Sequence, residues 1–376
     1  MFIYIFVFLL SIFFTIQCEG SENKWNRLIF AFLAILIPSL LAGVRDYGVG
    51  HDTTIYVDET YREVLDYRES DIWTFLRALM SDEFSQEPFY CFINYLGLQM
   101  GMEVNYVYFV VSFVTIALVF NAIFLYQNRA SMPLMMFVFL FLFFNISLNT
   151  IRQTVAIALA LNVYLYLERK EWITSAIFLV LMFLSHTTSV VFLLFLLLYV
   201  AVQKRAGLKI IIGLVLVVPI TLMMLDDLIL LAISMNIVPT RFVAYLAEEE
   251  ETVVMKTAIV FGWLVLGAML WGGYSLLKKE ESNREIIFIF NVKLFNNLLI
   301  LASAVSMWAF RMAYYFGVFD ILFIPRIIRF VSEKDERKGN FLTVVFVLLI
   351  SIYWYWSIIH NNENETYPYK SEILGI

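Results

Sequence analysis

The sequence predicts an all-α, polytopic transmembrane bundle of about 12 helices with one large helical loop outside the membrane. Three observations predict it. Hydrophobic residues make up 61% of the 376-residue chain and charged residues only 15%, where soluble domains carry about 25% charged. The apolar residues gather in runs close to the ~20 residues that cross a bilayer. Lysine and arginine are shared unevenly between alternate connections, the signature that orients membrane proteins.

The runs fall at about 2–17, 28–44, 105–126, 132–148, 151–167, 172–185, 187–202, 209–225, 257–277, 287–309, 312–330 and 340–358. The first has no Lys or Arg before Lys24 and no small-residue cleavage site, so it reads as a span and not as a signal peptide. Residues 172–202 read either as one long helix or as a hairpin turning at Ser185–Ser189. Residues 287–330 have a candidate hinge at Arg311. Two long segments separate the runs: 45–104, acidic and aromatic with helical stretches, and 226–256, which ends in the acidic run at 248–251. No internal repeat or low-complexity linker interrupts residues 1–376, so a single membrane domain is expected.

Placing the N-terminus outside, with one crossing per run, puts 16 of the 26 Lys and Arg in cytoplasmic loops and 9 outside, leaving Lys293 within a run. This bias favours the turn at 185–189, because a single long helix would carry Lys204, Arg205 and Lys209 to the outer side.

Composition also excludes classes of function. A net charge of −6 opposes nucleic-acid binding, which uses a basic face. The two cysteines, Cys18 and Cys91, and the three histidines form no zinc-type spacing, so no metal and no cofactor are expected.

The informative residues are arginines that break the inside bias. Arg45, Arg152 and Arg311 each lie at or within the outer end of a predicted span. Charge there is disfavoured unless it is paired or solvated, and a guanidinium suits phosphate oxygens bidentately. The alternative for each is an interfacial or ion-paired arginine. Gly43, Gly48 and Gly50 bracket Arg45 and Asp46, allowing a tight turn at the membrane surface. His186, in FLSHTTSV, could hold a proton near neutral pH or only cap a turn. Asp52 and Glu87 are candidate carboxylates for acid or base work, set among many other acids of the same loop.

The order GVRDYGVGHDTTIY (43–56), EPFYCFINYLG (87–97), NTIRQTVAIALAL (149–161), FLSHTTSVVFL (183–193) and YPYK (367–370) resembles the EpsG family of exopolysaccharide proteins. That family is similar in organisation to the Wzy-type O-antigen and capsule polymerases. The resemblance implies a GT-C-like glycosyltransferase in the bacterial cytoplasmic membrane, polymerising repeat units at the outer face. Donor and acceptor would be oligosaccharides on polyprenyl pyrophosphate, within membrane lipid, with a chain-length regulator as a candidate partner. Arg45, Arg152 and Arg311 would grip the pyrophosphate, and Gln153 accompanies Arg152 in the motif. Tyr47, Tyr56 and Tyr90 would receive sugar faces. Asp52, Glu87 or His186 would deprotonate the acceptor hydroxyl, with His186 favoured by its place at a helix end. Alternatives are a lipid-linked glycan flippase, an O-antigen ligase or O-acetyltransferase, and a structural subunit of a synthesis complex.

Overall fold

The computed structural model describes residues 1–51, 53, 57–81, 83–204, 230–231, 233–235, 284–302 and 307–376. The apolar runs at 209–225 and 257–277, the segment 236–256 and the residues Asp52 and Tyr56 lie outside the described residues. Those described are helical, without strands. Among the described residues, five helices are long and apolar enough to cross a membrane: α1 (Phe2–Gly20), α2 (Lys24–Gly43), α6 (Val104–Tyr126), α12 (Arg284–Ala302) and α15 (Glu336–Trp354) with its π-helical extension Tyr355–His360. Shorter apolar helices are α7 (Met132–Leu142), α10 (Trp172–Ser185) and the stretch Thr187–Gln203, a 3₁₀ turn (Thr187–Val191) leading into α11 (Phe192–Gln203).

The chain divides into two compact units, Met1–Ser189 with Val318–Ile376, and Val190–Gly317. In the first, α1 packs on α2, α2 on α6, and α6 on α9 (Ile151–Glu168), which packs in turn on α10. α14 (Asp320–Ser332) packs on α7 and on α15. α9 is the centre: every residue from Ile151 to Leu165 is buried. A helix apolar nearly all round has no solvent stripe and belongs inside a bundle; α9 carries Arg152 and Gln153 in its first turn, and its mid-helix Asn162 is satisfied by Leu118 O and Ala158 O. In the second unit α12 packs on α11 and on α13 (Met307–Gly317).

Local chemistry sets the breaks. α2 begins at Lys24 because the Asn23 side chain accepts the Trp25 and Asn26 amides. Pro38 inside α2 cannot donate to Ala34 O, and the Ser11 hydroxyl of α1 donates there instead at 2.7 Å. The proline thus ties the first two helices together. The run 132–148 breaks at Phe143 into α7 and α8 (Phe144–Asn149). The stretch 172–202 is not one long helix: α10 stops at Ser185 and His186 is extended. Arg311 is not a hinge but lies inside α13, and the run read as 312–330 divides instead at Val318–Phe319.

The connections of the first unit sort to two ends. One gathers Glu19, Arg27, Gln127, Arg129, Glu168 and Arg169. There Glu19 accepts the Met132 amide at 2.9 Å, Arg27 donates to Gln127, and Arg129 pairs with Glu168 at 3.3 Å. The other gathers the start of α1, the turn at 44–51 and the segment after α15, as Tyr4 donates to Thr366 O at 2.7 Å and the Asp46 amide to Lys370 O at 3.0 Å. This is the partition that positive charge predicts, with both described termini at the less basic end.

Within the large loop, α3 (Asp58–Leu65), α4 (Ile72–Met80) and α5 (Pro88–Gln99) enclose a small core of Val64, Phe75, Ala78, Phe84, Cys91, Tyr95 and Leu98. Phe75 and Tyr95 stack at 4.1 Å. α5 rests on α6 and α10, which fixes its N-terminus against the bundle. Cys18 and Cys91 are buried free thiols.

Candidate active site at the loop end of the bundle

The site grows from the N-terminus of α5. Pro88 occupies its first turn and Glu87 its N-cap, a proline placement that loses no hydrogen bond. The Glu87 side chain does not cap the helix but reaches into the bundle, where it is 7% exposed. Arg152, in the first turn of α9 and equally buried, donates from Nη1 to Glu87 Oε2 at 2.6 Å. The other oxygen, Oε1, lies 3.0 Å from His186 Nδ1 and accepts from the Thr187 hydroxyl at 3.3 Å. The Glu87–His186 approach is an ion-pair distance without the alignment of a full hydrogen bond. Burial alone would raise the Glu87 pKa, but His186 and Arg152 outweigh it and hold the carboxyl well below the ordinary 4.5. One buried carboxylate therefore joins three elements far apart in sequence.

Arg45 follows α2 in the turn 44–51 and is only 1% exposed. Its Nη2 donates to Leu148 O at 3.2 Å, and its guanidinium lies over the Tyr108 ring, 4.5 Å from the centroid. Nε and Nη1 have no hydrogen-bond partner. Burial lowers the Arg45 pKa, opposed by Tyr108, Tyr4, Tyr369 and Tyr90. The turn is shaped by Gly50, at φ +93°, where a Cβ would stand 2.5 Å from Leu148 O. Only glycine allows this conformation together with that approach. Arg45 and Arg152 thus meet the same corner of the chain, the first through Leu148 at the end of α8, the second at the start of α9.

Of the residues singled out by sequence, the structure brings together Glu87, Arg152 and His186, with Gln153 buried beside Arg152 and Tyr90 buried near Arg45. Tyr47 is 56% exposed on the Arg45 turn. Arg311 belongs to the second unit. Sequence reasoning missed Tyr108, Tyr4, Thr187 and Tyr369. No motif marked Tyr108 or Tyr4. Tyr369 lay within YPYK, a motif noted without a role.

The fold and this corner define a multi-pass membrane protein with a buried, charged site at one end of its helices. The EpsG family model matches residues 28–371, nearly the whole chain. The protein belongs to the EpsG family, and so among membrane proteins of exopolysaccharide biosynthesis. No curated protein and no solved structure matches it.

Proposed function

We propose that this protein is a polysaccharide repeat-unit polymerase, acting at the outer face of the bacterial cytoplasmic membrane on glycans carried by polyprenyl pyrophosphate. The observation that carries the reading is Arg45. A buried guanidinium with two unpartnered nitrogens is costly unless an anion completes it, and a diphosphate oxygen is the acceptor its planar fork suits.

Transfer forms a bond between the acceptor hydroxyl oxygen and the donor's anomeric carbon and breaks the anomeric carbon–oxygen bond to phosphate. The lipid diphosphate leaves with the electron pair, and fixed positive charge stabilises it without reorganisation. Arg45 and Arg152 supply that charge. The hydroxyl proton goes to His186. Glu87 beside Nδ1 favours the tautomer with Nδ1–H and leaves Nε2 as the base, the role a carboxylate plays towards histidine in other acid–base pairs. Held ionised and low in pKa, Glu87 is itself a poor base, so its part is to orient His186 and Arg152. Asp52 stays the alternative base. Tyr47, exposed on the Arg45 turn, offers a ring face for sugar, with Tyr56 next along the same segment. Tyr90 is buried and acts through Arg45, and Gln153 backs Arg152.

The test is chain length in cells carrying single replacements. His186→Ala lowers polymer formation by about 10²–10⁴-fold, the span of general-base catalysis, and lipid-linked single repeats accumulate outside. Accumulation inside would indicate a flippase, and full-length polymer from His186→Ala would remove the histidine from the mechanism.

A further inference from the structure

The segment after the last span, which contains the YPYK motif, pairs closely with the turn that carries Arg45. The Asp46 amide donates to Lys370 O at 3.0 Å and the Gly50 amide to Glu365 O at 2.9 Å. The Glu372 amide donates to Asp46 Oδ1 at 2.8 Å, and the Ser371 hydroxyl to Val44 O. The Tyr369 hydroxyl donates to Leu41 O at 2.6 Å, in the last turn of α2. The far side of the segment is anchored too: Thr366 O accepts from Tyr4, and its hydroxyl accepts from Asn145, which in turn accepts from the Trp354 indole at 2.9 Å. Thr366 and Ser371 are fully buried and Tyr369 is 7% exposed.

A surface tail needs none of this. Here backbone and side-chain bonds fall on both flanks of one residue, Arg45. Among the described residues the Arg45 side chain makes one hydrogen bond, to Leu148 O, while its carbonyl accepts from Asn105 of α6 at 3.1 Å. Its depth and direction therefore depend on the turn, which is held both by this segment and by Asn105 of α6.

We propose that residues 364–372 form a strap that positions Arg45, with Tyr369 as the positioning residue. This rests on the functional reading above in one respect, that Arg45 meets the donor's diphosphate. Tyr369 touches no reacting atom. Its ring lies edge-on to Tyr4 at 5.5 Å, while its hydroxyl fixes the strap to α2. Removing it frees the turn without removing a helix.

Two measurements on the full chain in lipid nanodiscs test this, with Tyr369→Ala and Tyr369→Phe as variants and the exposed Ile373→Ser as control. Hydrogen exchange over residues 44–51 is expected to quicken about tenfold or more in Tyr369→Ala, as local opening becomes easier, with exchange in α6 and α9 unchanged. Initial rates are expected to show KM for the polyprenyl-diphosphate donor raised about 10–100-fold, the cost of a displaced binding group, with KM for the acceptor unchanged. A general loss of folded protein would instead lower kcat and leave both KM values alone. Tyr369→Phe keeps the ring and shows the same effects at smaller amplitude, and it serves if the alanine variant does not accumulate. Unchanged exchange at 44–51 in both variants would overturn the strap. Quickened exchange with an unchanged donor KM would overturn its part in donor binding. If the wild type transfers from no polyprenyl diphosphate, the functional reading fails, and the exchange result still decides the strap.

Discussion

Arg152 and Glu87 form a 2.6 Å ion pair in which each side chain is only 7% exposed, and the pair links the first turn of the central helix to the N-cap of α5. A buried pair of this kind adds little net stability over apolar neighbours, but losing one partner leaves an uncompensated charge, at a cost of about 3–5 kcal/mol. Glu87→Gln and Arg152→Met are each expected to destabilise the protein by about that much. The double variant should be far less destabilised than the sum. Thermal unfolding in detergent measures this; strict additivity would show that the two side chains do not depend on each other.

The same carboxylate makes stability depend on acid. Its folded pKa lies below the unfolded value near 4.5, so its contribution is complete above that value, fades progressively as pH falls below it, and is gone once pH has fallen through the lower folded value. Unfolding measured from pH 7 down to pH 3 should therefore show a loss of stability that Glu87→Gln lacks. Parallel curves for wild type and variant would contradict the assignment.

Gly50→Ala brings a Cβ within 2.5 Å of Leu148 O in a conformation of positive φ. The backbone cannot yield as a flexible side chain would, so the turn must shift and Arg45 with it. Strain of this kind costs about 1–3 kcal/mol. Polymer in cells should shorten or vanish. By contrast Gly48→Ala, at φ +89° but with open space around its Cβ, should be milder. Equal effects at the two positions would show that the approach to Leu148 is unimportant.

Ser11 and Pro38 are coupled through Ala34 O. Ser11→Ala leaves that carbonyl unpaired and is expected to cost about 1–3 kcal/mol. In a Pro38→Ala background the helix supplies its own amide, and the serine change should cost little. A cycle of the two variants, followed by thermal unfolding, measures the difference; equal costs in both backgrounds would exclude the link.

Much of this architecture was legible in the residues because its causes are local or additive. Apolar length marks a span whatever its neighbours, and the sum of basic residues on alternate loops sorted Arg27, Arg129 and Arg169 from Arg45 and Asp46 before any packing was known. The turn of glycines at 48–50 was legible for the same reason. Pairing was not. The Glu-Pro motif marked Glu87 among the acids of its loop but not what it meets. That depends on Arg152, 65 positions later, and His186, 99 later, reaching one point. The hinge expected at Arg311 failed because a charge in an apolar run reads as a break, whereas an α-helix carries a charged residue without interrupting its backbone bonds.

Chain composition alone determined that this protein is a helical membrane bundle, which end of it is basic and where a glycine turn surrounds Arg45, since these follow from hydropathy, charge and backbone freedom of short segments. Only the tertiary structure decided that Glu87 meets Arg152 and His186, that the Arg45 guanidinium lies over Tyr108, and that residues 365–372 bond to the same turn. Such contacts arise when helices distant in sequence pack together, and their energy lies in burial and distance, which no single segment contains.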